Sequence, residues 1–331
     1  MSPFFMKKML VFCFEVSILF YNFAAVFVII TLNNYHKIMK KILHLSCLLT
    51  FLATSVTANA LYINGANGIR YQTNSDNTEV TIVKPKSGNT YAGDYEIPAT
   101  VTSKTYGELP VVAVGESAFA NCDMLTSVIL PESVTKIGDY AFDTCEKLVT
   151  LEMPGVKEIG HWSFRYCEAL ENLVFPEGLE SIGNYSFDHN SKLEVIDLPS
   201  TMTNLGGYVF EGNPQITRVI CRAVEPPAIK KGYIDGEEIY TIFEDDDYGD
   251  IELVVPDESV TAYRTTLGWH YFNKITPLNE YLAGIGDIAV DVTEEEGKAV
   301  YYDICGREVA KPVTGNFYIK KTGSKVTKVV F

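Results

Sequence analysis

Three cysteines at nearly equal spacing, Cys122, Cys145 and Cys167, are the residues of this sequence whose types could do chemistry. Regularly spaced cysteines can form disulfides, bind a metal ion or act as nucleophiles. The same position of the pattern holds Asn190 and Asn213. Asparagine lacks the redox and nucleophilic chemistry of cysteine, but both side chains donate hydrogen bonds. We therefore predict a ladder of five buried structural residues. A disulfide between neighbours stays open, because adjacent strands lie about 5 Å apart, although three cysteines cannot all pair.

Motifs for catalysis and metal binding are absent from the sequence, which has no G-x-S-x-G, no H-E-x-x-H and no phosphate-binding loop. His161, His189 and His270 are widely spaced, and no C-x2-C pair could start a zinc site. The acidic run 244–250 could hold Ca²⁺, but it lacks the spacing of a calcium loop and we interpret it as solvated. We predict a protein that is not an enzyme and binds neither a cofactor nor a metal ion.

A column of aromatic residues recurs at the same interval as the cysteines: Tyr140, Trp162, Tyr185 and Tyr208. Such a row could bind a sugar or a peptide, or it could pack at the edge of the core. Packing is the favoured interpretation, because each ring lies two residues before a core phenylalanine.

These columns belong to an internal repeat. Its phenylalanines, at intervals of 23, 22, 23 and 23 residues, are Phe119, Phe142, Phe164, Phe187 and Phe210. Each unit continues as L-x-x-V-x-L-P and then V-x-x-I-G. A unit of this length cannot bury its own apolar face, so successive units must stack around a continuous core.

The segment L-x-x-V-x-L alternates as a strand with one face inward does, and the proline ends it. We predict one short strand per unit in a parallel sheet, with extended chain or a 3-10 turn completing the unit. The intervening residues would face outward and form the ligand-binding surface. They make two columns: Ser127, Thr150, Asn172, Val195 and Arg218, and Ile129, Glu152, Val174, Asp197 and Ile220.

The unit L-x-x-I-x-L-P-x-x-V-x-x-I-G-x-x-A-F-x-x-C resembles the BspA-like leucine-rich repeat of bacterial surface proteins, over residues 95–278. Residues 95–119 are similar to the family's entry repeat. Residues 251–278 are similar to its closing repeat, with a short helix expected around 259–267. The resemblance implies a right-handed repeat solenoid with a short-stranded parallel sheet, mostly β and irregular, and it implies adhesion.

The first 60 residues read as a leader. A basic start at 39–41, an apolar run at 42–52 and an A-x-A site at 58–60 have the order of a secretory signal peptide. We expect 1–38 to be upstream sequence wrongly joined to the gene. If Met1 is the true start, the apolar run 16–32 could be a membrane helix.

The remaining chain divides into three parts. We predict a β-rich cap and entry repeat at 61–108, the repeats at 109–278 with an insertion at 222–250, and a linker with a small β-rich module at 279–331. The last part resembles the C-terminal sorting segments of the type IX export route, and a plain β-rich cap is the alternative.

Charge restricts the partners. The full chain has a net charge of −15, and removing the leader, with its five lysines and one glutamate, makes it −19. This charge argues against nucleic acid and anionic membranes as partners. We expect a monomer, without a membrane span in its mature form, secreted by or displayed on a Gram-negative bacterium. It would bind a protein or extracellular-matrix ligand, with a glycan bound by the aromatic column as the alternative.

Overall fold

The structure is a computed structural model, and it describes residues 61–86, 88–171, 173–234, 237–244, 247–284, 300–303, 308–309, 317–322 and 325–330. All of these lie in one unit, Ala60–Phe331. The predicted signal peptide and the apolar run 16–32 lie outside the described residues.

Short strands make up most of the regular structure. In the described part of the chain they are β1 (Tyr62–Asn64), β2 (Arg70–Thr73), β3 (Val80–Val83), β4 (Gly93–Glu96), β5 (Thr100–Ser103), β6 (Gly107–Val114), β7 (Leu125–Ile129), β8 (Lys136–Ile137), β9 (Thr150–Glu152), β10 (Glu158–Ile159), β11 (Ser181–Ile182), β12 (Val195–Leu198), β13 (Asn204–Leu205), β14 (Arg218–Cys221), β15 (Ala228–Ile229), β16 (Gly232–Ile234), β17 (Glu237–Ile239), β18 (Glu252–Val255), β19 (Lys274–Pro277), β20 (Val300–Asp303), β21 (Glu308–Val309), β22 (Phe317–Thr322) and β23 (Lys325–Val330). The helices are α1 (Val260–Thr265) and α2 (Leu278–Gly284), with 3-10 turns at Asp247–Gly249 and Asp257–Ser259.

Most units contribute two strands rather than the one that was predicted, so the repeats form two parallel ladders. The first ladder holds the L-x-x-V-x-L segments, as β4-β7-β9 and, separately, β12-β14-β18-β19. The second holds the V-x-x-I-G segments, as β6-β8-β10-β11-β13-β15. Extended chain was expected at this second segment. Its buried residues, such as Ile137 and Ile159, hold it against the core in register with its neighbours.

The third unit differs from the others in the first ladder. Leu173 and Phe175 point into the core as the pattern predicts. No strand is present among the described residues 173–176, however, and the first ladder is therefore in two parts.

A column of stacked phenylalanines runs through the core. Phe119 and Phe142 lie with ring centroids 4.8 Å apart and planes 3° from parallel. The next two steps, through Phe164 to Phe187, are 5.0 Å each. Each of these rings is fully buried, so the repeat interval also spaces the core aromatics at a stacking distance.

The glycine that ends each V-x-x-I-G segment, here called the corner glycine, allows successive turns of the chain to approach closely. These glycines are Gly138, Gly160, Gly183 and Gly206. A Cβ at Gly183 would lie 2.7 Å from backbone atoms of Gly160 and His161 in the preceding unit. A tight corner commonly needs a residue in the left-handed conformation. Here that conformation is taken not by the glycine but by the aromatic residue two positions after it. Tyr140 has φ 55° and Trp162 has φ 52°, in the region that favours glycine.

The predicted insertion at 222–250 contains a β-hairpin, β16 paired with β17. Stacking continues on both sides of it. Before the hairpin, β15 pairs with β13 in the second ladder. After it, the Phe243 ring lies 6.0 Å from Phe210, and the carbonyl of Ile242 accepts a hydrogen bond from the Phe210 amide. The hairpin therefore lengthens one unit without breaking the column.

Both ends of the repeat stack are covered. At the N-terminal end, β1, β2 and β3 are antiparallel, and β3 then pairs in parallel with β6. At the C-terminal end, α1 lies within the range expected for a helix, and Trp269 is buried after it with its indole N–H donating to the Pro227 carbonyl. Further along the chain, β21-β20-β22-β23 form an antiparallel sheet.

Candidate ligand-binding surface

The residues predicted to face outward lie on the first ladder, where its register holds equivalent positions side by side. The paired positions are Ser127 with Thr150, Ile129 with Glu152, Val195 with Arg218, and Asp197 with Ile220. Thr150, Glu152 and Val174 are exposed. Asn172 lies outside the described residues. The sheet face is thus a real surface over its N-terminal half.

Ile220 is a correction to the predicted surface, because it is fully buried. Helix α2 turns back over the sheet after β19, and Leu278, Tyr281 and Leu282 pack on Ile220 and Val254. The alternation of the strand predicted correctly that Ile220 points away from the main core. It could not show that a later helix covers this position.

The charged side chains under α2 also have hydrogen-bond and ion-pair partners. Glu252, between Arg218 and Lys274 in the register, accepts hydrogen bonds from Arg218 Nε at 2.9 Å, Lys274 Nζ at 2.8 Å and Thr276 Oγ1 at 2.7 Å. Burial raises the pKa of the Glu252 carboxyl, but the three hydrogen bonds and the Arg218 charge outweigh it and lower the pKa from 4.5 to about 2. The Arg218 guanidinium also lies 4.8 Å from the centroid of the Tyr281 ring.

Asp197 is held by an ion pair at the edge of the same face. It pairs with Arg222, which also reaches Glu177 at 3.4 Å, and the three side chains are largely buried. This network ties three consecutive units together. Asp197 is therefore held in an ion pair within the fold, whereas Glu152 is exposed to solvent.

The cysteine and asparagine column forms a hydrogen-bonded ladder. Cys145 Sγ donates to the Phe119 carbonyl at 3.1 Å, and Cys167 Sγ to the Phe142 carbonyl at 3.2 Å. The two asparagines make the same bond: Asn190 Nδ2 to the Phe164 carbonyl at 3.0 Å and Asn213 Nδ2 to the Phe187 carbonyl at 2.8 Å.

The thiols of this column are buried. Cys122, Cys145, Cys167 and also Cys221 are free cysteines. Burial raises the pKa of Cys122 to about 11. The hydrogen bond to Cys167, together with burial, raises the pKa of Cys145 further. A thiol that remains protonated is a poor nucleophile and a poor metal ligand, so the column has a structural role.

The aromatic column is a continuous stack at the corner of the repeats. Tyr140 and Trp162 are 5.1 Å apart and 7° from parallel, and Trp162 and Tyr185 are 5.6 Å apart and 2° from parallel. Tyr208 follows at 5.7 Å and is buried. Because each inner ring has a neighbour on both faces, the stack presents ring edges to solvent.

Comparison with known proteins identifies the repeat. The model of the BspA type leucine rich repeat region matches six copies in residues 111–224. A leucine-rich repeat protein of T. pallidum is 31% identical, over 47% of this chain and 69% of that one, with a TM-score of 0.42. This chain belongs to the BspA-type leucine-rich repeat family.

Other solved structures are similar at lower sequence identity. A leucine-rich cell surface protein of Faecalibacterium prausnitzii is 19% identical, over 60% of this chain and 72% of that one, with a TM-score of 0.41. A leucine-rich repeat protein of Bacteroides ovatus is also 19% identical, over 64% and 76%, with a TM-score of 0.39. No curated protein matches this chain significantly.

The BspA-type repeat pattern does not include two residues that belong to the outward face. Asp94 and Glu96 on β4 continue the two outward columns, opposite Ser127 and Ile129. Strand β4 precedes the first complete unit and lacks the consensus leucines. Its alternation over residues 93–97, with Tyr95 and Ile97 inward, was the signal that could have found it.

Neither a metal centre nor a membrane helix is found in the described part of this BspA-type chain. No group of three or more candidate metal ligands occurs there, and no helix there is long and apolar enough to cross a membrane. Asp245 and Asp246 of the acidic run lie outside the described residues.

Proposed function

We propose that this BspA-type chain is a non-catalytic protein that is exported and binds another protein at the bacterial surface or in the medium. The binding site would be the outward face of β4, β7, β9 and the third unit, here called the open face. One observation carries the proposal: the open face exposes side chains whose types vary from unit to unit, whereas the inward columns of the same strands are uniformly apolar. Curved repeat sheets commonly serve as extended binding surfaces.

The experiment is an array of host and extracellular-matrix proteins probed with the secreted protein and two arginine variants. Thr150→Arg places a bulky side chain on the open face. Thr135→Arg is the control, because it makes the same change at an exposed position beside the second ladder. We expect the first to abolish binding to the recovered partner and the second to preserve it. Equal binding by both variants would contradict the proposal.

The glycan alternative is less well supported by the aromatic stack. Sugars bind aromatic side chains through ring faces, and in this stack the faces of Trp162 and Tyr185 are covered by neighbouring rings. Only the ring edges, with their hydroxyl and indole N–H groups, would be left to contact a sugar. A glycan array in which Trp162→Ala removes binding, without unfolding the protein, would favour the glycan over the protein partner.

Export is the second part of the proposal. The basic start, apolar run and A-x-A site at 39–60 support cleavage before Leu61, and the C-terminal segment supports sorting to the surface by the type IX route. Sequencing the N-terminus of the secreted protein should give Leu61. Deleting residues 300–331 should leave the protein in the periplasm, and unchanged display after that deletion would favour a plain cap. Sedimentation should give a monomer.

A further inference from the structure

We infer that the partner presents a cationic amphipathic segment to the open face. This inference rests on the proposed function, because it names the chemistry of the partner for the same surface.

Carboxylates surround the open face. Asp94, Glu96 and Glu152 lie on its two outward columns, and all three are exposed. A second set lies where the chain enters the strands, one residue after each cysteine of the ladder: Asp123, Glu146 and Glu168. Lys147 is the base beside them, where its Nζ lies 3.3 Å from Met124 Sδ. Within the described residues, no ion pair is formed by Glu96 or Glu152, so their charges face solvent and favour a basic partner.

Apolar side chains lie among these acids. Met124 is 56% exposed, Val149 41% and Val174 50%, and Ile129 is partly exposed between Glu96 and Glu152 in the register. Grouped exposed apolar residues with a polar rim are typical of protein-binding surfaces. The open face therefore offers exposed apolar side chains interspersed with negative charges.

Helix α2 shows what the other half of this face already binds. It contacts the sheet through Leu278, Tyr281 and Leu282, the i, i+3 and i+4 positions of one helical face. The helix carries Glu280 and no basic residue, and Arg218 and Lys274 of the sheet beneath it are both paired with Glu252. The covered half thus holds an amphipathic helix through apolar contacts, and the charges of the sheet beneath it are paired with one another.

The open half instead carries Glu96 and Glu152, which form no ion pair among the described residues, and the covered half begins at Val195 on β12, which contacts the α2 group. A segment that fits it needs apolar residues on one face and lysine or arginine beside them. The binding site would end where α2 begins.

The experiment uses two synthetic amphipathic helical peptides, one of leucine and lysine and one of leucine and glutamate. Binding to the secreted protein is measured by calorimetry at low and physiological salt. The test variant is Glu96→Lys/Glu152→Lys. The control, Glu116→Lys/Glu180→Lys, makes the same net charge change at exposed positions on the side of the second ladder.

We expect the lysine peptide to bind the native protein and the control alike. Its affinity should fall about tenfold or more in the test variant, and the glutamate peptide should not bind. Equal loss in the test and control variants would mean that net charge alone attracts the peptide, and this would overturn the inference. So would equal binding by all three proteins, or no binding at all. Thermal melts establish that each variant is folded.

The same variants separate this inference from the proposed function. If a partner recovered from the array is lost with Thr150→Arg but kept with Glu96→Lys/Glu152→Lys, the open face binds proteins and the cationic chemistry is wrong. If that partner survives both changes, the proposed function fails as well.

Discussion

The thiol of Cys145 donates a hydrogen bond of 3.1 Å to the carbonyl oxygen of Phe119 in the preceding unit. Two units later, the amide of Asn190 makes the equivalent bond to Phe164. Cysteine and asparagine can replace one another in this column because each brings a donor to the equivalent buried carbonyl of the preceding unit. The ladder is therefore a connection between turns of the chain, and its members can be tested as such.

Replacing Cys145 with alanine should destabilise the protein without affecting binding. The change leaves the Phe119 carbonyl without this donor and removes a buried sulfur atom, which together cost about 1–3 kcal/mol in the free energy of unfolding. Cys145→Ser is the matched control, since its hydroxyl keeps a donor and should recover part of the loss. Urea unfolding measures both. Loss of partner binding in a fully folded alanine variant would contradict a structural role.

The buried thiols should be unreactive until the protein unfolds. The pKa values of Cys122 and Cys221 are raised to about 11, chiefly by burial, from a usual value of 9.0. In the protein that begins at Leu61, a Cys305→Ser background leaves Cys122, Cys145, Cys167 and Cys221. In it, a thiol reagent at pH 8 should modify none of the four remaining cysteines in the native protein and all four in urea.

The same shifts predict a loss of stability in alkali. The unfolded thiols ionise near pH 9.0 and the native ones near 11. Their contribution is complete below pH 9 and is lost as the pH rises towards 11. Cys221→Ala should therefore flatten the decline in unfolding free energy over this window, and an unchanged slope would argue against the raised pKa.

His161 should be replaceable by asparagine but not by leucine. Its Nδ1 accepts a hydrogen bond of 2.8 Å from the backbone N–H of Asn184. In the preceding unit, Asp139 Oδ1 accepts the equivalent bond from the backbone N–H of His161. Asparagine at 161 keeps an acceptor, whereas leucine loses about 1 kcal/mol of stability. Thermal melts of the two variants compare them directly, and equal melting temperatures would show that the bond contributes nothing.

Gly183→Ala tests the close approach at the corner. The added Cβ would meet the backbone of Gly160 and His161 at 2.7 Å, and rigid backbone on both sides cannot move away cheaply. We expect a loss of about 2–3 kcal/mol or more. Gly249→Ala is the control, since its Cβ would meet only Asn273 Nδ2 at 3.9 Å. A loss of similar size in both variants would contradict the steric explanation.

Glu252 should make stability depend on pH in acid. Its pKa is lowered from 4.5 to about 2, so its contribution is complete above pH 4.5 and is lost as the pH falls towards 2. Glu252→Gln should cost up to about 3 kcal/mol at neutral pH and flatten the acid limb of the stability profile. Glu258→Gln, an exposed acid nearby, should leave that profile unchanged.

The sequence could predict most of the contacts that recur at the repeat interval. The phenylalanine stack, the inward leucines and the shared role of Cys145 and Asn190 are all set by contacts between equivalent positions of neighbouring units. The sequence of one repeat unit is therefore enough to predict these contacts. The second ladder was harder to foresee, because two-residue strands such as β8 leave no alternation to read.

Features that depend on contacts outside the repeat could not be predicted in the same way. Ile220 is buried by Leu278 and Tyr281, which lie on either side of the predicted boundary between the closing repeat and the linker. Asp94 and Glu96 join the outward columns only through the register of β4 with β7. In both cases the partner lies outside the five units whose columns were compared.

The hairpin of β16 and β17 shows where the chain accepts additional sequence. Its flanking segments, at Ile229 and at Phe243, keep their places in the second ladder and in the phenylalanine column. The corresponding arc in other units, between the corner glycine and the phenylalanine, is therefore a candidate position for grafting an epitope, a fluorophore-binding peptide or a small domain. A scaffold extended in this way would keep its stack while displaying the graft on a side away from the open face.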